Sequence, residues 1–476
     1  MSPDGMASSL PGDALDTLKK IVGPKGYIDN DTDGAPYLTD WRGQYRGRSA
    51  LILRPYTTSQ VSDIVKVCAE HHIIIVPQGG NTGMNGAATP SPDGDSILLS
   101  LGRMNRIRKI DTLNYTATVE AGCILQTIQD AAEEAGRLFP LSLGAEGSCQ
   151  IGGNLATNAG GVSVLRYGNM RDLVLGLEVV LPSGEVWNGL KSLRKDNTGY
   201  DLKHLFVGSE GTLGVITAAA LKLFPKPESY QTCFAAITGL DETIELLARA
   251  RQISGDRVSS FEMITSAPLE LAFKHGPNLS NPLSETAEIY ALIEFSSSDD
   301  AGDDALERFL EQGLEAGLIS DAVIAQSEAQ RQALWKLREY LPEAEKEEGA
   351  SVKHDISVPV SSIPSFVREA IPAVQGFMAD IRPVFFGHVG DGNLHFNFAV
   401  PLGMANDEFL SHKDTINGIV LDIVTAYEGS ISAEHGIGQL KRDSFLHYTP
   451  GLDIGIMRQL KATFDPLGIM NPGKLL

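Results

Sequence analysis

The run "FFGHVGDGNLHFNF" (385–398) places His388, His395 and Asn397 in an otherwise aromatic, strand-like stretch. Asp391-Gly392 is a strong hairpin signal, because a two-residue turn needs positive φ and Gly accepts it. A turn centred there pairs Gly390 with Asn393, Val389 with Leu394, and His388 with His395. The two imidazoles then oppose each other with Cβ atoms about 5 Å apart. Asn397 shares their face, while Val389, Leu394, Phe396 and Phe398 share the other. "AEHGIG" supplies Glu434 and His435, followed by Gly436 and Gly438, which permit a bend that aims both side chains at one centre. Two imidazoles and a carboxylate suit Zn²⁺ with an open position, and Mn²⁺ or Fe²⁺ are alternatives. The plainer reading is a pair of cross-strand histidines on a wet sheet face and a surface glutamate.

Two cations complete the set. In "ALWKLREYL", Arg338 lies four residues after Leu334 and three before Leu341, beside the apolar stripe of a helix. Such an arginine either snorkels past the core edge or reaches into a cleft. In "SVKHDISVPV", Val352, His354, Ile356 and Val358 alternate onto one strand face, and Lys353, Asp355 and Ser357 take the other. A surface lysine is the ordinary alternative for Lys353.

The chain that positions these groups has 476 residues, 42 % of them hydrophobic, and a net charge of −21. That length implies two or three domains, and the charge disfavours nucleic acid and anionic membrane surfaces. No stretch approaches the roughly 18 apolar residues of a membrane span. The N-terminal stretch lacks the features of a signal or transit peptide, so a cytoplasmic setting is expected. Cys68, Cys123, Cys149 and Cys233 are scattered, with no CxxC pair. Residues 50–90 read as strand, helix, strand and glycine-rich loop, with Thr57 and Gln60 resembling a capping box. Short strands continue to about residue 225, and "PKPESY" reads as a linker. Beyond it, strands alternate with amphipathic helices and end in hairpins, an antiparallel α+β pattern. The expected division is 1–225, 226–411 and 412–476.

Three glycine-rich loops punctuate the first part: "PQGGNTGMNGA", "GAEGSCQIGGNLATNAGG" and "GSEGTLGVIT". The first follows a strand and could cradle a pyrophosphate, yet it fits neither a Walker nor a Rossmann pattern. The second is a poor helix or strand former that lets backbone approach a flat ligand. These loops in this order, with the terminal "NPGKLL", resemble the FAD-linked oxidases of the vanillyl-alcohol oxidase and p-cresol methylhydroxylase type, over almost the whole chain. The resemblance implies an α+β protein: a two-subdomain α/β FAD domain, an antiparallel-sheet substrate (cap) domain and a C-terminal segment returning to the FAD site. It implies that FAD is held by Pro77, Gly79, Gly80, Asn81, Thr82, Gly83 and Gly86 in the first loop. From the second come Gly144, Gly147, Ser148, Gly152, Gly153, Asn154, Thr157, Asn158, Gly160 and Gly161. Glu210, Gly211, Gly214 and Ile216 follow from the third, with Asn471 near the end. Residues 76–90 contain no histidine, so the FAD is expected to be non-covalent.

"GHVGDGNLHFNF" and "SAEHGIG" resemble the D-2-hydroxyacid dehydrogenase branch of that family. Carried across, His388, His395 and Glu434 would bind the metal, Asn397 and Arg338 would contact substrate, and His435 would be the base. Arg338 with Lys353 resembles the enzymes acting on D-2-hydroxyglutarate, although Pro342 stands where those usually place a Thr. The expected reaction removes the hydroxyl proton to His435 and a hydride from C2 to flavin N5, with metal lowering the hydroxyl pKa. Alternative substrates are D-lactate, D-malate and glycolate. No NAD fingerprint is visible, so an electron-transfer flavoprotein or a quinone is the expected acceptor, and a homodimer the expected assembly. Readings from other classes are a metal hydrolase, which leaves the three loops unexplained, and a non-catalytic flavoprotein subunit.

Overall fold

The computed structural model describes residues 10–297 and 304–476. Two compact units emerge: one holds the chain up to Gly160, Asn169–Lys226 and Glu434–Leu476, the other Gly161–Gly168 and Pro227–Ala433.

In the first unit a sheet runs in the order Tyr27–Ile28, Leu51–Leu53, Ser96–Ser100, Ile74–Gln78, the last three mutually parallel. The crossover after Leu51–Leu53 is the helix Thr58–His71. Its start is fixed locally: Thr57 Oγ1 accepts from the Gln60 N–H at 3.2 Å, and Gln60 Oε1 accepts from the Tyr56 N–H at 2.7 Å. That is the expected capping exchange displaced by one residue at the backbone donor. Val61, Ile64, Val65 and Cys68 are fully buried with Ile75, Ile97 and Leu99, each worth about 1.5–3 kcal/mol of burial. A second, antiparallel sheet orders Ile107–Asp111, Thr116–Glu120, Val215–Lys222, Val174–Val180, Val186–Gly189. The glycine-rich second loop contains a short helix after all, Ile151–Ala156. All four cysteines are free and buried.

The second unit is built on one antiparallel sheet, ordered Ile319–Ile324, Ser229–Ile237, Ile289–Ser297, Val258–Thr265, Arg382–His388, Asn393–Ala399, Ser351–Val352, with Asp355–Ser357 also pairing to Asn393–Ala399. Both faces are packed by helices. Phe234, Ile264, Leu292, Val384 and Phe386 cluster with Leu269 of Ser266–His275 and with Leu334, Leu337 and Leu341 of Glu328–Glu348. On the opposite face Phe396 meets Phe366 of the helix Ile363–Phe377 at a tilt, 5.0 Å between ring centroids, and Phe385 meets Phe396 in the same way.

The histidine hairpin has a longer tip than a two-residue turn. Val389–Asp391 forms a 3₁₀ turn closed by Gly392 at φ 86°, so Phe386, not His388, lies opposite His395. The register therefore shifts by two, which preserves the facing of every side chain. His388 finds a different cross-strand partner, Glu262. Among the described residues no helix is long and apolar enough to cross a membrane.

Candidate active site

In the first unit the strand Ile74–Gln78 runs into the first glycine-rich loop, which faces the second across a cavity. Its wall includes Pro77, Gly79, Gly80, Asn81, Thr82, Gly83, Gly152, Gly153, Asn154, Thr157, Glu210 and Gly211, together with Gln78, Ala87, Ala88, Leu101, Cys149, Gln150 and Ala156. The latter group carries no binding signature of its own: single Ala, Leu, Cys and Gln residues beside the loops look like ordinary packing. A methyl at Gly80 would collide with the Ser148 carbonyl oxygen, and one at Gly79 would stand 3.4 Å from the Gly153 nitrogen. The loops are therefore apposed backbone to backbone, as a flat ligand demands. Asn154 Oδ1 and Gln150 Oε1 are buried on this wall without a hydrogen-bond partner, a cost of about 1–3 kcal/mol each that a ligand donor would relieve. The residues fit a flavin nucleotide.

Other residues expected at the cofactor lie off this wall. Gly86 meets Tyr45, Gly214 meets Val179, and Ile216 is a buried strand residue. Asn158 Oδ1 accepts from the Arg171 N–H, and Gly161 belongs to the other unit. Gly144, Gly147, Ser148 and Gly160 are likewise absent from the lining. Asn471 donates to Ala87 O and Glu210 O at 3.1 and 2.8 Å.

The segment bearing His435 is anchored in the first unit. Asn85 Nδ2 donates to His435 O and Gly436 O at 3.1 and 2.5 Å, and Glu210 accepts from the Ile437 and Gly438 N–H groups at 2.6 and 2.7 Å. Gly436 and Gly438 take φ of 71° and 56°, the bend their sequence positions suggest. Burial raises the Glu210 carboxyl even against these two donors.

In the second unit Glu262, 1 % exposed, sits between two groups. His388 Nδ1 lies 2.6 Å from its Oε1, and Arg338 Nε donates to its Oε2 at 2.7 Å. Burial would raise this carboxyl, but the charges of His388 and Arg338 prevail and hold it at about 2. With Nδ1 on the carboxylate, a metal would be bound through His388 Nε2, the usual orientation of a metal-binding imidazole backed by a carboxylate. Nothing in the local sequence "SSFEMIT" marked Glu262; only strand pairing reveals it. Arg338 Nη2 is 3.5 Å from His388 Nε2, and its guanidinium caps the Phe386 ring at 4.7 Å. The rings of His388 and His395 meet edge to face at 5.6 Å.

Residues Ser430 and Ala433 are stapled to the strand Asp355–Ser357 through Ser357–Ser430 and Ala433–Asp355 backbone bonds. Glu434 is the next residue. His388 and His395 offer two imidazoles, and a carboxylate beside them, the part the sequence gives to Glu434, would complete a donor set able to hold a divalent ion. Asn397 Oδ1 accepts from the His354 N–H at 3.0 Å, and its Nδ2 donates to Glu345 at 2.9 Å. Lys353 Nζ donates to the same Glu345 oxygen at 3.1 Å. Pro342, inside the helix, is exposed, while Leu341 and Glu345 are buried.

Residues 49–189 match the family described as FAD binding domain, and residues 226–475 match FAD linked oxidases, C-terminal domain. The chain is 39 % identical to the mitochondrial D-2-hydroxyglutarate dehydrogenase of Arabidopsis thaliana, over 98 % of this chain and 82 % of that protein. It is 41 % identical to the mitochondrial D-2-hydroxyglutarate dehydrogenase of Bos taurus, over 98 % and 84 %. Among solved structures, p-cresol methylhydroxylase with substrate bound superposes with a TM-score of 0.75 at 18 % identity, over 98 % of both chains, a likeness of fold.

Two outcomes follow from this geometry. Gly80→Ala should lower the flavin content of purified protein, read from the visible absorbance against the protein absorbance; wild-type content would disconnect the loop from the cofactor. Glu262→Gln should weaken Zn²⁺ binding about 10–100-fold and cost about 3–5 kcal/mol of stability. Because the Glu262 carboxyl falls from 4.5 to about 2 on folding, its contribution is complete above pH 4.5 and is lost as pH falls toward 2. Denaturant titrations across that window should show a shallower acid limb for the variant.

Proposed function

We propose a function from one premise: this chain belongs to the FAD-linked oxidase family and is an FAD-dependent oxidoreductase. On that premise it oxidises a D-2-hydroxy acid, D-2-hydroxyglutarate to 2-oxoglutarate, with FAD and a divalent metal, Zn²⁺ by its donor set. The observation that carries the reading is the guanidinium of Arg338, whose Nη2 lies 3.5 Å from His388 Nε2. A 2-hydroxy acid has a carboxylate and a hydroxyl on adjacent carbons, and a cation beside a metal-donor set suits that pair. The names borne by the plant and bovine relatives support the diacid.

Bound FAD supplies the two-electron acceptor, and a divalent ion at His388, His395 and Glu434 supplies Lewis acidity toward the substrate hydroxyl. The chain's own residues do the rest. Glu262 fixes both His388 and Arg338, so neither must reorganise when substrate enters. Arg338 binds the C1 carboxylate through charge-assisted hydrogen bonds of about 1.5–3 kcal/mol each. His435 takes the hydroxyl proton, a task suited to an imidazole near neutral pH. Asn85 and Glu210 hold the backbone on which that imidazole stands. Lys353 serves the distal end of the substrate, and Asn397 orients the residues around it.

The electron acceptor is an electron-transfer flavoprotein or a quinone, and the assembly a homodimer. A cytoplasmic setting is part of this proposal; the two relatives named above are mitochondrial, and fractionation decides the compartment.

The purified protein should be yellow, release FAD on denaturation, and bleach anaerobically with D-2-hydroxyglutarate. Flavin that remains on the denatured polypeptide would disprove non-covalent binding, and a colourless protein would favour a hydrolase. Chelation, or His388→Ala, His395→Ala or Glu434→Ala, should abolish bleaching while flavin stays bound. His435→Ala should retain metal and lose flavin reduction. Lys353→Met should depress kcat/KM for D-2-hydroxyglutarate far more than for D-lactate; equal losses would remove the lysine from distal recognition.

A further inference from the structure

Each cation assigned to the substrate already faces a buried carboxylate. Arg338 has Glu262, which it shares with His388, whereas Lys353 has Glu345. The second pair is lopsided. Glu345 is 1 % exposed, while the Lys353 side chain is 36 % exposed. Both bonds to Glu345 fall on one oxygen: Lys353 Nζ at 3.1 Å and Asn397 Nδ2 at 2.9 Å converge on Oε2, and Oε1 is buried with no hydrogen-bond partner. A carboxylate with one orphaned oxygen is an incompletely satisfied anion, and its field is weakly screened because water does not reach it.

We infer that Glu345 is a specificity-determining residue: its buried carboxylate cancels the charge of Lys353, so the distal end of the substrate meets a pair with no net charge. The inference rests on the proposed oxidation of a D-2-hydroxy acid and sets its substrate range. A lone lysine in that place would favour a second carboxylate strongly. Paired with Glu345, it favours the diacid much less and leaves room for a monocarboxylate.

The same logic sets an order among variants that direct contact alone does not. Glu345→Gln leaves the pair with a net positive charge, Lys353→Met leaves it negative, and the double variant is neutral like wild type. The ratio of kcat/KM for D-2-hydroxyglutarate to that for D-lactate should rise on the order of tenfold in Glu345→Gln and fall comparably in Lys353→Met. In the double variant it should return to near the wild-type value. Glu345→Leu, which drops the carboxylate and fills its space with apolar atoms, should move the ratio in the same direction as Glu345→Gln should the amide prove poorly tolerated. A ratio unmoved by either Glu345 substitution overturns the inference. So does a double variant as poor toward the diacid as Lys353→Met, since that means the lysine acts by contact and the glutamate is a bystander. If none of these proteins reduces flavin with either acid, the proposed reaction fails. The inference is then judged on the dissociation constants of 2-oxoglutarate and pyruvate measured by calorimetry, where the same order supports it and a flat series overturns it.

Discussion

A carboxylate almost wholly removed from water, Glu262, bonds an imidazole and a guanidinium at the same time, and the geometry of the second unit's polar site follows from that. Burying an ion costs several kcal/mol unless its partners are well placed, so the positions of His388 and Arg338 are not free to drift. The strand pairing that sets Glu262 opposite His388 and the helix Glu328–Glu348 that brings Arg338 over the sheet are coupled through three side chains. One consequence is chemical: an imidazole with its Nδ1 committed to a carboxylate offers a ligand through Nε2 alone. The other is mechanical, because Arg338 also lies on the Phe386 ring, joining the polar site to the apolar cluster beneath the helix.

Arg338 and Glu345 project from one face of the same helix, two turns apart, with opposite charge. The sheet answers in reverse, with Glu262 under the arginine and Lys353 at the glutamate. Two crossed ion pairs hold helix to sheet in one register, since sliding the helix by two turns would set like charges together. The pairs differ in exposure, and that difference separates their roles. The buried pair fixes geometry at the metal-donor set, while the half-open one leaves its lysine within reach of solvent and of whatever enters.

Much of this was legible in the residues. The alternation of His388, His395 and Asn397 against Phe396 and Phe398 does mark two faces, and the glycines after His435 do adopt positive φ. The three glycine-rich loops suffice for the family, because few other demands bring so many glycines together in this order. The hairpin register was not legible: Asp391-Gly392 signals a tight turn, but Val389–Asp391 winds into a 3₁₀ turn and lengthens it. The period of two hides such an error, since a shift by two returns every side chain to its own face. Glu262 and Glu345 were invisible for another reason. A glutamate in a strand or a helix looks solvated until the partner that buries it, distant in sequence, is known.

Glu210 shows how far a correct motif can stand from a correct role. Its place in "GSEGTLGVIT" suggests a flavin contact, and it does line the cavity. Its two oxygens, however, accept from the Ile437 and Gly438 N–H groups. Burial raises its carboxyl, and the buried Lys474 nearby is pushed down to about 8 by the same exclusion of water, partly offset by Glu210 itself. An acid and a base that each resist ionising can still share one dry region, because the charge each does carry lowers the cost of the other. Asn85 grips the same segment from its other side by donating to His435 O and Gly436 O. Donors and acceptors on the backbone around His435 are thus held by side chains from the first and third glycine-rich loops. Loops that line the cofactor cavity also fix the main chain of the residue assigned as base: Gly436 and Gly438 take left-handed conformations without strain, and the buried hydrogen bonds select this bend from the others that glycine allows.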